Sequence, residues 1–129
     1  MFTLCLLALP VSAPAQPALQ TADLGPCTLE SGTTLQNCRI GYRTAGTLNA
    51  TRSNAVLVPT WFSGTSGDLV DQLGPEGLID TTRFFAVLVD ALGNGVSASP
   101  STSPRPDSAF PVFSVRDMVH TQHRLLTET

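Results

Sequence analysis

The sequence predicts an α/β chain, a β-hairpin followed by a parallel β-α-β-α arrangement. Three observations predict it. Asn54-Ala-Val-Leu-Val-Pro59 and Arg83-Phe-Phe-Ala-Val-Leu-Val-Asp90 contain continuous apolar runs rich in β-branched residues and bounded by turn formers. Such runs fit short strands buried on both faces of a parallel sheet. The segment between them reads as a crossover, for which a right-handed connection is almost obligatory. From Ser114 onward, apolar residues recur at helical spacing.

At 129 residues the chain can hold one small domain with a hydrophobic core. Its net charge is −3, which offers nothing to nucleic acid or to an anionic membrane as partner. All seven basic residues are arginines, and no function follows from that. Past the first residues, no apolar run is long enough to span a bilayer.

Residues 1–15 read as an export signal, to be set aside before the fold is considered. Thr3-Leu-Cys-Leu-Leu-Ala-Leu9 is a short apolar core, and Ala13-Pro-Ala15 puts small residues where an export peptidase reads them. Cleavage is expected before Gln16, although a positive n-region is missing. The alternative, a buried N-terminal strand or helix, is disfavoured by Pro10, Pro14 and Pro17. The domain is then 16–129, in a secreted or periplasmic protein. Cys5 leaves with the leader.

Cys27 and Cys38 remain, and two cysteines in an exported chain predict a disulfide. Cys27-Thr-Leu-Glu30 and Leu35-Gln-Asn-Cys-Arg-Ile-Gly-Tyr42 fit two strands with Ser31-Gly32 at the turn. A loop from Ser31 to Thr34 would set the cysteines opposite each other. Two unpaired buried thiols are the alternative, if the protein is cytosolic. Thr44–Asn54 is a polar connection. Asn49-Ala-Thr51 fits a glycosylation acceptor, relevant only in a eukaryotic secretory pathway, and a plain surface loop otherwise.

Pro59 cannot donate a ladder hydrogen bond, so the strand Ala55–Val58 should stop there. Trp61 and Phe62 follow at its carboxyl end, where open parallel sheets bind ligands. They are candidate site-wall residues, or aromatics that merely pack on the sheet end. Gly64-Thr-Ser-Gly67 is a loop, and Asp68–Leu73 predicts one or two helical turns ended by Gly74-Pro75. No Gly-Lys-Ser/Thr follows, so there is no phosphate loop, and no cofactor is expected. Asp90 ends the second strand. By position it is a catalytic candidate; bonding the following turn is the simpler role. Asn94-Gly95 could make a tight turn. Val96–Pro111 is a Ser- and Pro-rich loop of a length usually functional or mobile.

Ser114 can cap the final helix, with Asp117 at the capping-box position. Its expected buried stripe is Val115, Met118, Val119, Gln122, Leu125 and Leu126. His120 and His123 lie one turn apart at the stripe's margin. No third ligand is visible, so they read as solvated or partly packed and no metal site is expected.

The chain resembles the homoserine O-acetyltransferase-like family of the α/β-hydrolase superfamily. The resemblance rests on Leu29-Glu-Ser-Gly32, Arg39-Ile-Gly-Tyr-Arg-Thr-Ala-Gly-Thr-Leu-Asn-Ala50, Arg52-Ser-Asn-Ala-Val-Leu-Val58, Gly74-Pro75 and Leu78-Ile-Asp-Thr-Thr-Arg-Phe-Phe85. It continues through Asp90-Ala-Leu-Gly93, Ser99-Pro100 and Phe110-Pro-Val-Phe-Ser-Val-Arg-Asp-Met-Val119, in the family's order. It implies the N-terminal part of an α/β-hydrolase fold with an incomplete sheet. By the family's strand order, Phe84–Val89 lies between the hairpin and Ala55–Val58, which is left as an open edge.

The resemblance also implies acyl transfer through a serine nucleophile, an aspartate and a histidine. The family's serine sits in a Gly-x-Ser-x-Gly elbow. No such motif occurs here; Gly95-Val-Ser-Ala-Ser99 lacks the second glycine, and Gly64-Thr-Ser-Gly67 has the wrong spacing. Nucleophile, acid and base are therefore expected beyond Thr129, and the chain reads as an N-terminal fragment. What it retains, by resemblance, is part of an oxyanion hole: the backbone N–H of Trp61, with Phe62 as a pocket wall. The acetyltransferases tend to carry Cys-His followed by small or aliphatic residues where this chain has Pro59-Thr60-Trp61-Phe62. That departure and the export signal favour a secreted hydrolase of a small acyl ester, thioester or amide. The alternatives are a homoserine O-acetyltransferase-type enzyme using acetyl-CoA and a non-catalytic secreted domain. The oligomeric state is not legible.

Overall fold

A computed structural model describes residues 16–61, 63–104 and 110–129. The expected leader, Phe62 and Pro106 lie outside these residues. The strands are β1 (Gln20–Asp23), β2 (Cys27–Thr28), β3 (Thr34–Leu35), β4 (Arg39–Ala45), β5 (Ala55–Pro59) and β6 (Phe85–Val89), and the helix is α1 (Val115–Glu128). A four-stranded sheet runs β1–β4–β6–β5, and β2 and β3 form a separate two-stranded ribbon.

β6 is the centre of the sheet. It pairs in parallel with β5, Leu57 opposite Val87, and antiparallel with β4, Tyr42 opposite Val89. Its alternate side chains serve two faces, the consequence of a period of two. Val87 and Val89 join Ile40, Leu92, Ala98 and Leu125 on one side. Ala86 and Leu88 pack under Leu69, with Val70, Leu73 and Ile79 against them. The crossover between β5 and β6 supplies this second cover. It holds one 3₁₀ turn, Val70–Gln72, within the stretch Asp68–Leu73 where one or two helical turns are expected. Gly74-Pro75 stops it, and a parallel bridge from Leu73 to Ile79 closes the loop.

β5 is half-buried, not buried on both faces as its composition suggests. The reason is position: β5 has β6 on one side and no partner on the other among the described residues. The strand runs one residue further than expected and includes Pro59. An edge tolerates that proline because no neighbour needs its missing N–H.

The N-terminal region departs most from expectation. β1 was not foreseen; it lies along β4 with Ala22 opposite Ile40 and Asp23 opposite Arg39. The hairpin is shorter than expected, with Cys27 facing Leu35 rather than Cys38. Cys38 sits after the ribbon, just before β4, where its N–H donates to the Gly25 C=O at 3.0 Å. The disulfide Cys27–Cys38 is nonetheless present, with Cα atoms 5.9 Å apart, a normal bridging distance. Both half-cystines are buried.

Ser114 and Asp117 form the expected capping box on α1. The buried side of the helix keeps Met118, Gln122 and Leu125 of the expected stripe and loses Val115, Val119 and Leu126. It consists of Asp117, Thr121, Gln122 and Leu125, with Met118 packed at the core. Val115, Val119 and Leu126 are 74%, 55% and 45% exposed. They lie together on the adjacent face by helical spacing. Arg124 ties the helix to the N-terminal region. Its guanidinium donates to the C=O groups of Leu24 and Pro26 at 2.6 and 3.1 Å, lies 3.1 Å from the Cys27 sulfur, and pairs with Glu128 at 2.8 Å.

Candidate functional site

The carboxyl ends of the two parallel strands, β5 and β6, converge on one loop cluster. Beyond β5, Thr60 keeps the ladder going, its N–H donating to the Val89 C=O at 3.1 Å. The Thr60 hydroxyl accepts the Ala91 N–H at 3.3 Å. The chain then turns. The Gly64 N–H donates to the Trp61 C=O at 3.0 Å, closing a turn over 61–64. The Trp61 N–H itself donates to no described residue. The indole is 55% exposed and lies on Gly64, where a Cβ would come within 2.6 Å of the ring. Only a glycine lets this ring rest on its own turn.

The hub beneath the loop is Asp90, fully buried at the end of β6. Its carboxylate accepts the Ser66 N–H at 2.7 Å, the Ser66 hydroxyl at 2.6 Å and the Asn94 side-chain amide at 2.9 Å. A buried carboxyl group needs such donors, because a buried oxygen without a partner is costly. The Asp90 C=O accepts the Ser97 hydroxyl at 2.6 Å, and Ser97 in turn accepts the Gly41 N–H at 2.9 Å. Gly41 must be a glycine here: a Cβ would meet Val96 at 2.7 Å and the Asp90 carboxylate at 3.1 Å.

This arrangement sorts the sequence candidates. Asp90 bonds the turns around it rather than facing open solvent. Ser66 and Ser97 are buried and committed to Asp90, so neither hydroxyl is presented as a nucleophile. Asn94 was missed. Its carbonyl oxygen accepts the Val96 and Ser97 N–H groups at 3.0 and 3.1 Å. That is an Asx turn, and the signal for it was the Asn-Gly pair before a serine-rich loop. Ser99 and Thr102 form a second capping box on the short Pro100–Thr102 turn.

His120 and His123 are exposed and line a shallow cavity of about 260 Å³ with Cys27, Asp117 and Arg124. Among the described residues, no three His, Cys, Asp or Glu side chains are grouped to hold a metal. A larger cavity, about 650 Å³, opens between Asp23, Asn37, Arg39 and Phe110; neither Trp61 nor Asp90 lines it.

No family model matches the sequence. Individual relatives do. An acetylester hydrolase of known structure from Corynebacterium glutamicum superposes with a TM-score of 0.81 at 37% identity, over 86% of this chain and 33% of that one. The ethyl acetate hydrolase of Pseudomonas veronii is 37% identical over 109 residues, 82% of this chain and 31% of the relative. The homoserine O-acetyltransferase of Salinibacter ruber is 38% identical over 117 residues, 83% of this chain and 33% of the relative. The chain belongs to the homoserine O-acetyltransferase-like family of the α/β-hydrolase superfamily. It spans about a third of the length of the curated relatives it matches. Its mixed sheet and the helix α1 correspond to part of the α/β-hydrolase fold. Members named as esterases and members named as homoserine acyltransferases both align with it.

Proposed function

We propose that this chain contributes one wall of the oxyanion hole in an exported serine ester hydrolase of the homoserine O-acetyltransferase-like family. The observation that carries the reading is the Trp61 N–H. It follows the last ladder bond of β5, sits in a pinned turn, and donates to no described residue. A fixed, unused N–H at a strand's carboxyl end is what a developing oxyanion needs.

The chemistry is acyl transfer. A serine oxygen adds to the ester carbonyl as its proton passes to the catalytic histidine, and the carbonyl π electrons move onto oxygen. Trp61 donates to that oxyanion. Collapse restores the carbonyl and expels the alcohol, which takes a proton from the catalytic histidine; water then releases the acid. The serine, histidine and aspartate come from sequence outside residues 1–129. Esterase relatives and the Trp61-Phe62 pair support an ester hydrolase over a homoserine acyltransferase. Ala13-Pro-Ala15 supports export and cleavage before Gln16.

The full-length protein tests this. Trp61→Pro should lower kcat on p-nitrophenyl acetate by about 10²–10³. Trp61→Phe keeps the N–H and should shift acyl-chain preference instead. Unchanged kcat in Trp61→Pro would defeat the reading, and faster transfer from acetyl-CoA to homoserine than hydrolysis would favour the acyltransferase. Intact mass of exported protein, starting elsewhere than Gln16, would defeat the export signal.

A further inference from the structure

The turn carrying Trp61 is held from a second loop. Ser63 lies inside that turn at φ 62°, a left-handed conformation uncommon for a residue with a Cβ. Such a conformation persists only where the surroundings over-determine it. Among the described residues, one side chain from outside bonds the backbone of this turn. The Asn94 amide nitrogen donates to the Gly64 C=O at 3.2 Å and to the Asp90 carboxylate at 2.9 Å. Its amide cannot flip, because the carbonyl end already accepts the Val96 and Ser97 N–H groups. Gly64 in turn closes on the Trp61 C=O and carries the indole. Thr60, on the near side of Trp61, is tied to β6. Trp61 is thus clamped on one side by the sheet and on the other by Asn94.

We infer that Asn94, oriented by Asp90, is a positioning residue that sets the direction of the Trp61 N–H through Gly64. The inference rests on the reading of Trp61 as an oxyanion donor. An oxyanion donor acts only if its geometry is fixed before the reaction, and misplacement by about 1 Å can cost about 10²-fold in rate. Asn94 touches no reacting atom; it acts through the backbone of the turn.

The test uses the full-length protein, p-nitrophenyl acetate as substrate, and hydrogen exchange of the 60–67 backbone. Asn94→Ala removes both ends of the clamp. Asn94→Asp keeps the acceptor, removes the donor to Gly64 and to Asp90, and sets a second carboxyl beside Asp90, so Asn94→Ala is the variant that decides and Asn94→Asp supports it. Expected in both is a kcat lower by about tenfold to a hundredfold with KM within about twofold. Exchange at Gly64 and Ser66 should be faster, with β6 amides still protected. A purely structural role would not give that split between kcat and KM. Unchanged exchange at Gly64 and Ser66 would overturn the inference. So would loss of β6 protection in both variants, since Asn94 would then support the fold rather than the turn. If Trp61→Pro leaves kcat intact, the donor reading fails, and with it any catalytic role for Asn94. If Trp61→Pro lowers kcat and Asn94→Ala does not, this inference fails alone.

Discussion

The Glu30 backbone N–H donates to the Asp117 carboxylate at 2.9 Å, joining residues 87 positions apart. The same carboxylate accepts the Ser114 N–H at 2.8 Å and completes the capping box. The Glu30 side chain returns the contact, bonding the Ser114 hydroxyl and pairing with Arg116 at 2.8 Å. The start of α1 is therefore fastened to the disulfide ribbon by its own cap.

Burial works against the charge on Asp117, but the N–H groups of Ser114 and Glu30 outweigh it, and His120 adds to them. The carboxyl is held below its ordinary value. With the folded value below an unfolded value of about 3.9, the stabilisation is fully present above the unfolded pKa and is lost as pH falls through the folded one. Asp117→Asn turns an acceptor into a second donor facing Ser114. It should cost about 1 kcal/mol at neutral pH and flatten the acid limb of a plot of urea midpoint against pH. An acid limb unchanged by the substitution would refute this.

The Cys27–Cys38 bond closes a loop with a sequence separation of 11. In the chain-entropy model a loop of this size is worth roughly 2–3 kcal/mol. Reduction, or the double change Cys27→Ala and Cys38→Ala, should lower the unfolding midpoint accordingly. Mass spectrometry of unreduced protein should find no free thiol at either position.

Asp90→Ala would strand the Ser66 N–H and the Ser66 hydroxyl in a buried place and leave the half-buried Asn94 amide only the Gly64 C=O. An unsatisfied buried donor costs about 1–3 kcal/mol, so the loss should be about 3 kcal/mol or more. Ser66→Ala removes one donor only and should cost clearly less. Equal unfolding midpoints for the two variants would contradict Asp90 as the hub.

Residues 16–129 produced alone should be marginally stable and prone to aggregate. Among the described residues β5 has an unpaired, uncharged edge, a template for intermolecular pairing. Val115, Val119 and Leu126 add an exposed apolar face on α1. Size-exclusion chromatography and thermal unfolding decide it. A monodisperse monomer with one sharp transition would show that these surfaces need no cover.

Much of the fold was legible because its signals are local. The apolar runs at Ala55–Val58 and Phe84–Val89 became β5 and β6, and Ser114 with Asp117 marked the start of α1. β1 was hidden, since Gln20-Thr-Ala-Asp23 has no apolar run; its strand character comes from lying along β4. The site was legible only as an address, the carboxyl end of β5. Ser66 and Ser97 carry no motif, and the Asn94-Gly95 pair marks only a turn; they matter because loop closure brings them to Asp90.

By itself the sequence determined β5 and β6, the helix cap, the cysteine pair and the family, because propensity, capping and ordered motifs are written in neighbouring residues. Tertiary structure decided the rest. It set Cys27 opposite Leu35 rather than Cys38, and left Val115, Val119 and Leu126 exposed while Asp117 and Thr121 were buried. It gathered Gly41, Ser66, Asn94 and Ser97 around one buried carboxylate. These are choices among distant partners. They are set by which surfaces meet once the chain is closed and by the need to satisfy every buried polar group, and no stretch of neighbouring residues encodes that.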